Sequence, residues 1–151
     1  MYLNPRILLL EDNPVDAVEL CLALEESVPN VQLAIVNDHP GLIDYLRRIE
    51  ERSHETPWLI FLSVRFLTPA AKIEALAHLR SYPSHASRPS IPVIAVGSPA
   101  ELASVQALYE SVISAHLIRS DDFQQLVADC QAIATHWFKT AVLPPNASGC
   151  T

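Results

Sequence analysis

Short apolar runs alternate along the chain with segments whose apolar residues recur every three or four positions. The runs show no polar alternation, which is typical of strands buried on both faces of a parallel sheet. Five such strands are predicted, at Arg6–Leu10, Val31–Val36, Trp58–Leu62, Ile91–Val96 and Ala115–Ile118. Trp58–Leu62 is wholly apolar and is the predicted central strand, and Ser63 follows it at the carboxyl edge of the sheet.

The segments between the strands carry helical signals. Asn13-Pro14 and Thr68-Pro69 each place a capping residue before a proline suited to the first helical turn, and Ser98-Pro99-Ala100-Glu101 is a capping box. Five helices are predicted, of which the last continues to about Phe138. Alternating strands and helices predict an α/β fold, a doubly wound, five-stranded parallel sheet of the flavodoxin-like kind. Right-handed crossovers leave few ways to thread it, and the expected strand order is 2-1-3-4-5.

Chain length and composition predict a single globular domain. The chain has 151 residues, of which half are hydrophobic and 18% charged. We expect the domain to span residues 1–142, and residues 143–151, which lack periodicity, to form a flexible tail.

The net charge of −7 argues against nucleic acid as a partner, because nucleic-acid binding needs a basic patch. No apolar run approaches the ~18–20 residues that span a bilayer, and the N-terminus lacks the pattern of a signal peptide. Three cysteines, Cys21, Cys130 and Cys150, are an odd number without metal-ligand spacing. They favour reduced thiols in the cytoplasm.

Polar residues lie just past the predicted strands. In the predicted strand order these ends meet at one edge of the sheet, where ligands of open α/β folds bind. The residues that this geometry gathers around a single pocket are Glu11, Asp12, Ser63, Gly97, Ser98 and Arg119.

The sequence resembles a known family, the CheY-like receiver domains of two-component response regulators. The opening Ile7-Leu-Leu-Leu-Glu-Asp-Asn-Pro-Val-Asp16 is similar to the family's acidic-pair motif, and Leu117–Leu126 to its fifth-strand motif. The run His136–Pro145 is typical of the small single-domain regulators that partner bacterial phytochromes. The resemblance covers nearly the whole chain, and it implies that Glu11 and Asp12 stand where the family holds Mg²⁺.

The departures from the family pattern bear on function. The resemblance places Ser63 at the phosphoacceptor aspartate, and a serine hydroxyl can neither form the acyl phosphate nor supply an anionic ligand to Mg²⁺. Gly97 stands at the Thr or Ser that contacts the phosphoryl group, although Ser98 beside it could substitute in part. Arg119 replaces the family's lysine, and His116 stands at its aromatic switch position.

These departures favour an atypical receiver, or pseudo-receiver, which acts as a phosphorylation-independent interaction module and not as an enzyme. The alternative is a conventional Mg²⁺-dependent regulator phosphorylated on another residue. No cofactor is expected beyond weak Mg²⁺ binding at Glu11 and Asp12, and the simpler hypothesis is that Arg119 and Arg65 neutralise these acids. We therefore predict a contact between Arg119 and Glu11 or Asp12.

Two other classes of protein share this architecture. A flavodoxin-like electron carrier needs a phosphate-binding loop after the first strand, and the acidic Glu11–Pro14 segment would repel a phosphate. A hydrolase is disfavoured because Ser63 lacks a Gly-x-Ser-x-Gly motif and a histidine marked as its base. Ser98 is more simply a helix cap than a phosphate ligand.

The family resemblance also implies partners. These are a sensor histidine kinase or another signalling protein, linked to a phytochrome, and a second copy of the chain. The expected homodimer face runs from Ala100 to Phe138, although Trp137 could instead belong to ordinary packing. Its candidate interface residues are Tyr109, Asp122, Asp129 and Trp137.

Overall fold

The computed structural model describes residues 4–52, 55–65, 91–103 and 113–140. Within them, five parallel strands form one sheet in the order β2-β1-β3-β4-β5. The strands are β1 (Arg6–Leu10), β2 (Gln32–Val36), β3 (Leu59–Ser63), β4 (Val93–Gly97) and β5 (Ala115–Ile118). The predicted α/β fold and strand order are confirmed.

Three α-helices are described over their full length: α1 (Pro14–Ser27), α2 (His39–Glu51) and α3 (Phe123–Thr135). A π-helical turn, His136–Thr140, follows α3, and residues 99–103 are helical at the start of the predicted fourth helix. The predicted third helix and the tail at 143–151 lie outside the described residues. Within the described part of the chain, no helix is both long and apolar enough to cross a membrane.

The core lies on both faces of the sheet, because alternate residues of the buried strands point in opposite directions. On one face, Leu8, Leu10, Ile60 and Leu62 pack with the buried stripe of α2. On the other, Ile7, Leu9, Leu59 and Phe61 pack with α1 and α3. β1, β3 and β4 are therefore covered on both sides, which explains their continuous apolar sequences.

Several boundaries differ by one or two residues from the prediction. β3 and β4 each extend by one residue, so that Ser63 and Gly97 are the last residues of their strands. The ladder continues that far because Ser63 pairs with Val96 and Gly97 with Ile118. α3 ends at Thr135, and the π-helical turn carries Phe138 edge-on against Trp58, with ring centroids 5.3 Å apart.

Candidate functional site

The strand register brings the carboxyl ends of four strands, β1, β3, β4 and β5, together at one edge of the sheet. Leu10 is level with Leu62, so Glu11 and Ser63 follow at the same height on adjacent strands. The N–H of Arg119 donates to the carbonyl of Gly97 at 2.9 Å, which fixes the end of β5 beside that of β4. The predicted pocket is therefore built from residues that lie one step from the strand ends.

Glu11 and Arg119 form the innermost ion pair of this pocket. Arg119 Nη2 lies 2.8 Å from Glu11 Oε1, and the two side chains are only 15% and 2% exposed. The predicted contact of Arg119 with the acidic pair is thus confirmed, and Glu11 is the partner. Arg119 Nε is also buried, and it has no acceptor among the described residues.

Burial raises the pKa of the Glu11 carboxyl above its ordinary value. Three contacts oppose this effect and favour the charged form: the N–H of Asn13, which donates to Glu11 Oε2 at 3.1 Å, the charge of Arg119, and a hydrogen bond with the Ser63 side chain. Glu11 is therefore a buried acid whose charge depends on its neighbours.

Arg65 lies in the turn after β3 and spans the mouth of the pocket. Its Nη2 is 2.7 Å from Asp16 Oδ2, in the first turn of α1, and its Nε is 3.3 Å from Glu101 Oε2. Asp16 also faces Arg119, whose Nη1 lies 3.9 Å from Oδ1. Two arginines and three carboxylates thus form one continuous chain of ion pairs, in the order Glu11, Arg119, Asp16, Arg65, Glu101.

Ser63 and Gly97 lie at the base of this pocket. Ser63 is 3% exposed, and its hydroxyl accepts the N–H of Arg65 at 3.4 Å. Gly97 has no free space above it, because a Cβ at this position would lie 2.6 Å from Val64 Cγ2. Val64 itself is buried against Ala95 and Leu102. The space beside Gly97 is consequently filled, by Val64 and by the side chain of Glu101, whose Oε1 would lie 3.2 Å from a Cβ.

The other predicted pocket residues have local roles or lie at the surface. Ser98 and Glu101 form the predicted capping box, in which the Glu101 N–H donates to Ser98 Oγ at 3.1 Å and the Ser98 N–H donates to Glu101 Oε1 at 2.8 Å. The Ser98 N–H, foremost, lowers the pKa of Glu101. Asp12 is exposed, and so is His116 on β5.

The predicted interface residues are separated along the last helix. Asp122 is the N-cap of α3, where its carboxylate accepts the N–H of Gln124 at 3.0 Å. Asp129 is half-buried and accepts a hydrogen bond from Gln125 Nε2 at 2.8 Å. Trp137 is half-buried and lies edge-on to His136. Tyr109 lies outside the described residues.

The donor set in this arrangement does not fit Mg²⁺, which the fold family implies for the acidic pocket. Magnesium prefers carboxylate and water oxygens in a near-octahedral shell. Both Glu11 oxygens already accept hydrogen bonds, from Arg119 and from the Asn13 N–H, and Ser63 supplies a neutral oxygen. No group of three or more acids, histidines and cysteines with metal-binding geometry occurs among the described residues.

Three further residues, Asp16, Glu101 and Val64, belong to the site although the sequence does not mark them as pocket residues. Asp16 occupies the middle of the ion-pair chain, and its signal is its place in the first turn of α1, five residues after Glu11. The sequence around Glu101 predicts only a capping box, whereas its second oxygen, Oε2, also pairs with Arg65. Val64 carried no signal, because only the tertiary packing shows that its side chain fills the space beside Gly97.

The fold and the acidic edge together define a receiver-like α/β domain, and comparison with known proteins gives the family. No family model and no curated protein matches the sequence. Solved structures do match. The bacteriophytochrome response regulator RtBRR is 30% identical, with a TM-score of 0.67 over 97% of this chain and 88% of its own. The phosphorylated cyanobacterial phytochrome response regulator RcpA is 26% identical, with a TM-score of 0.72 over 94% of this chain and 99% of its own.

The Mn²⁺-bound form of response regulator Rcp1 is also 26% identical, with a TM-score of 0.68 over 93% of this chain and 99% of its own. In each comparison the similarity extends over almost the entire length of both proteins. The chain belongs to the family of response-regulator receiver domains.

Proposed function

We propose that this chain is a pseudo-receiver of a two-component signalling system, which acts in the cytoplasm as a phosphorylation-independent interaction module and not as an enzyme. The observation that carries the proposal is the ion-paired pocket around Ser63. A buried serine stands at the end of β3, where the family resemblance places the acceptor aspartate, and Arg119 is paired with Glu11 beside it. A hydroxyl cannot form an acyl phosphate.

The space beside Gly97 supports the same proposal. A phosphoryl group on residue 63 would need a hydroxyl donor at the end of β4, and Val64 fills the position that such a side chain would take. RcpA was solved in a phosphorylated form and Rcp1 with Mn²⁺. In this chain the positive charge that the acidic edge needs comes from Arg119 and Arg65.

The proposed partners are a sensor histidine kinase or another signalling protein, linked to a phytochrome. This proposal is supported by the similarity to RcpA and RtBRR, which are a phytochrome and a bacteriophytochrome response regulator. An exposed apolar stripe on α1 is consistent with a role in protein interaction. Val15, Val18 and Leu22 are each more than half exposed, and with Phe123 they line a shallow groove. Large apolar side chains grouped at a surface are typical of interaction sites.

The test is phosphoryl transfer. We expect neither acetyl phosphate nor a phytochrome-linked histidine kinase to label the protein in the presence of Mg²⁺, and we expect beryllofluoride to leave its melting temperature unchanged. A Ser63→Asp variant is the matched control, because it restores a carboxylate within the pocket. An acid-labile, base-labile acyl phosphate on the unaltered protein, for example on Asp12, would support the conventional regulator instead.

A further inference from the structure

Arg65 joins two helices that the sheet keeps apart. α1 follows β1 and the helix at residues 99–103 follows β4, and β3 lies between these strands in the sheet. The Arg65 side chain projects from the turn after β3 and contacts Asp16 in the first helix and Glu101 in the second, at 2.7 and 3.3 Å. One guanidinium therefore bridges the two helix N-termini.

Both carboxylates are held by a second contact, so that neither is a freely rotating surface acid. Glu101 uses Oε1 to accept the Ser98 N–H at 2.8 Å, which leaves Oε2 for Arg65. Asp16 lies in a helical turn that Asn13 caps, and its Oδ1 faces Arg119 at 3.9 Å. A guanidinium presents several donors in a rigid plane, which suits it to two carboxylates at once.

We infer that Arg65 acts as a clasp, which couples the start of α1 to the start of the helix at 99–103 across the pocket mouth. A change that releases one helix then loosens the other, without a phosphoryl group or a metal ion. The inference concerns regulation and rests on the proposed function only for its role in signalling. The coupling itself follows from the contacts.

The clasp is not required for overall stability. Arg65 is about half exposed, and exposed ion pairs are weak because water and salt screen them. Its expected effect is local. Breaking one contact should raise the rate of local opening at the starts of both helices. The informative measurement is therefore amide exchange in the helix that does not carry the substitution.

The experiment follows two amides by NMR hydrogen exchange. The Ala17 N–H donates to the Asn13 carbonyl at 3.0 Å and reports on α1, and the Leu102 N–H donates to the Ser98 carbonyl at 2.9 Å and reports on the other helix. Glu101→Gln removes the charge that Arg65 contacts while keeping an oxygen for the capping box. We expect it to speed exchange at Ala17 by about twofold to fivefold, the range given by a weak exposed pair.

The reciprocal variant, Asp16→Asn, should speed exchange at Leu102 by a similar factor. In an Arg65→Gln background both amides should already exchange faster, and Glu101→Gln should then have no further effect at Ala17. Arg52→Gln is the matched control, because Arg52 is similarly exposed and pairs with Glu55 at 3.5 Å, at the C-terminal end of α2. It should change neither amide.

The clasp is wrong if Glu101→Gln leaves the exchange rate of the Ala17 amide unchanged. It is also wrong if Glu101→Gln speeds that exchange by the same factor in the Arg65→Gln background. Faster exchange at both amides in the Arg52→Gln control would also overturn it, because the effect would then be global. These outcomes are separate from the proposed function. A protein that takes up a phosphoryl group could still possess the clasp, and one that does not could lack it.

Discussion

Gly97 is a single residue whose missing side chain shapes the pocket. It ends β4, and Val64 Cγ2 lies 2.6 Å from the position that a Cβ would occupy, with Glu101 Oε1 at 3.2 Å. Neither contact leaves room for the Thr or Ser that the family resemblance implies here. Because residue 97 is a glycine, the side chain of Val64 can occupy the space that a larger residue 97 would fill.

The contact between Gly97 and Val64 predicts the effect of placing a serine hydroxyl at position 97. Gly97→Ser should destabilise the protein by about 1–3 kcal/mol, the usual penalty for overpacking a filled site. Val64→Ala in the same chain should recover part of the loss, since it removes the methyl group that collides with the new Cβ. Urea denaturation of both variants and of the single Val64→Ala control measures this. Equal stability of Gly97→Ser and the unaltered protein would contradict it.

Ser63 has a structural role at the same scale. Its hydroxyl accepts the Arg65 N–H at 3.4 Å, in the turn that follows β3. A buried polar group needs such partners, because leaving it unpaired costs free energy. The serine thus fits the pocket as it stands, without any ligand.

At the scale of elements, the Glu11–Arg119 pair fastens β1 to β5. These strands are not neighbours, because β3 and β4 lie between them in the sheet. The pair is nearly buried, and removing one member of a buried pair leaves the other charge uncompensated. The ion pair therefore links the ends of two strands that have no hydrogen bonds to each other in the sheet.

Arg119→Ala should lower the free energy of unfolding by about 3 kcal/mol at neutral pH, as expected for a broken buried pair. Arg119→Lys, which keeps the charge, should lose less. Arg52→Ala is the control, because the Arg52 side chain that pairs with Glu55 is 63% exposed and its loss should cost at most about 1 kcal/mol. A loss no larger than the control's would show that the pair contributes little.

The loss should also depend on pH. Because burial raises the pKa of Glu11 above the ordinary 4.5, the folded protein binds this proton more tightly than the unfolded chain does. The contribution of Glu11 to stability therefore becomes more favourable as the pH falls through the raised pKa towards 4.5. Arg119→Ala removes the positive charge that lowers the pKa of Glu11, so the stability gained in acid should be larger in this variant. The difference in unfolding free energy between the variant and the unaltered protein should therefore shrink as the pH falls. Denaturation curves across this pH range give the sign directly.

The end of α3 shows another element-scale effect. The helical pattern predicts a helix that continues to about Phe138, whereas α3 ends at Thr135 and a π-helical turn follows. A π turn rotates the following side chains relative to an α-helix, and Phe138 here meets Trp58 at the start of β3. The aromatic contact across the domain accompanies this change of helix type, which periodicity alone does not encode.

At the scale of the whole molecule, the net charge of −7 opposes association of two copies unless the contact face is locally balanced. The homodimer predicted from the family resemblance would use the face from Ala100 to Phe138. Of its predicted residues, Asp129 is half-buried and bonded to Gln125, and Trp137 is half-buried. The dimer stays a prediction.

If that face associates, the dimer should form without Mg²⁺ or a phosphate donor. Asp129→Lys, which reverses a charge on the predicted face, should weaken it. Truncation after Phe138, which removes the C-terminal segment that follows this face, should also weaken it. Asp44→Lys is the matched control, because it reverses an exposed acid on α2, which packs on the opposite side of the sheet from α3. Light scattering over a range of concentrations distinguishes the cases. A monomer at high micromolar concentration, whatever the variant, would rule the dimer out.

The sequence by itself determined the architecture. Uninterrupted apolar runs specified buried strands, and proline, capping residues and helical spacing specified where helices begin, because these signals act between neighbours in the chain. The strand order 2-1-3-4-5 is the flavodoxin-like one among the few that right-handed crossovers allow, and it places Glu11, Ser63, Gly97 and Arg119 at one edge. The contact of Arg119 with an acid follows from this shared edge and from the opposite charges of a guanidinium and a carboxylate.

The tertiary structure decided which groups meet. Arg119 pairs with Glu11 across 108 positions of sequence, and the choice between Glu11 and Asp12 depends on which side chain points into the pocket. The role of Asp16 and the filling of the space beside Gly97 by Val64 likewise depend on register and packing. Such contacts join residues with no local relation in sequence. Hydrophobic periodicity therefore specifies the edge of the sheet, whereas the partners at that edge are fixed only when the chain has folded.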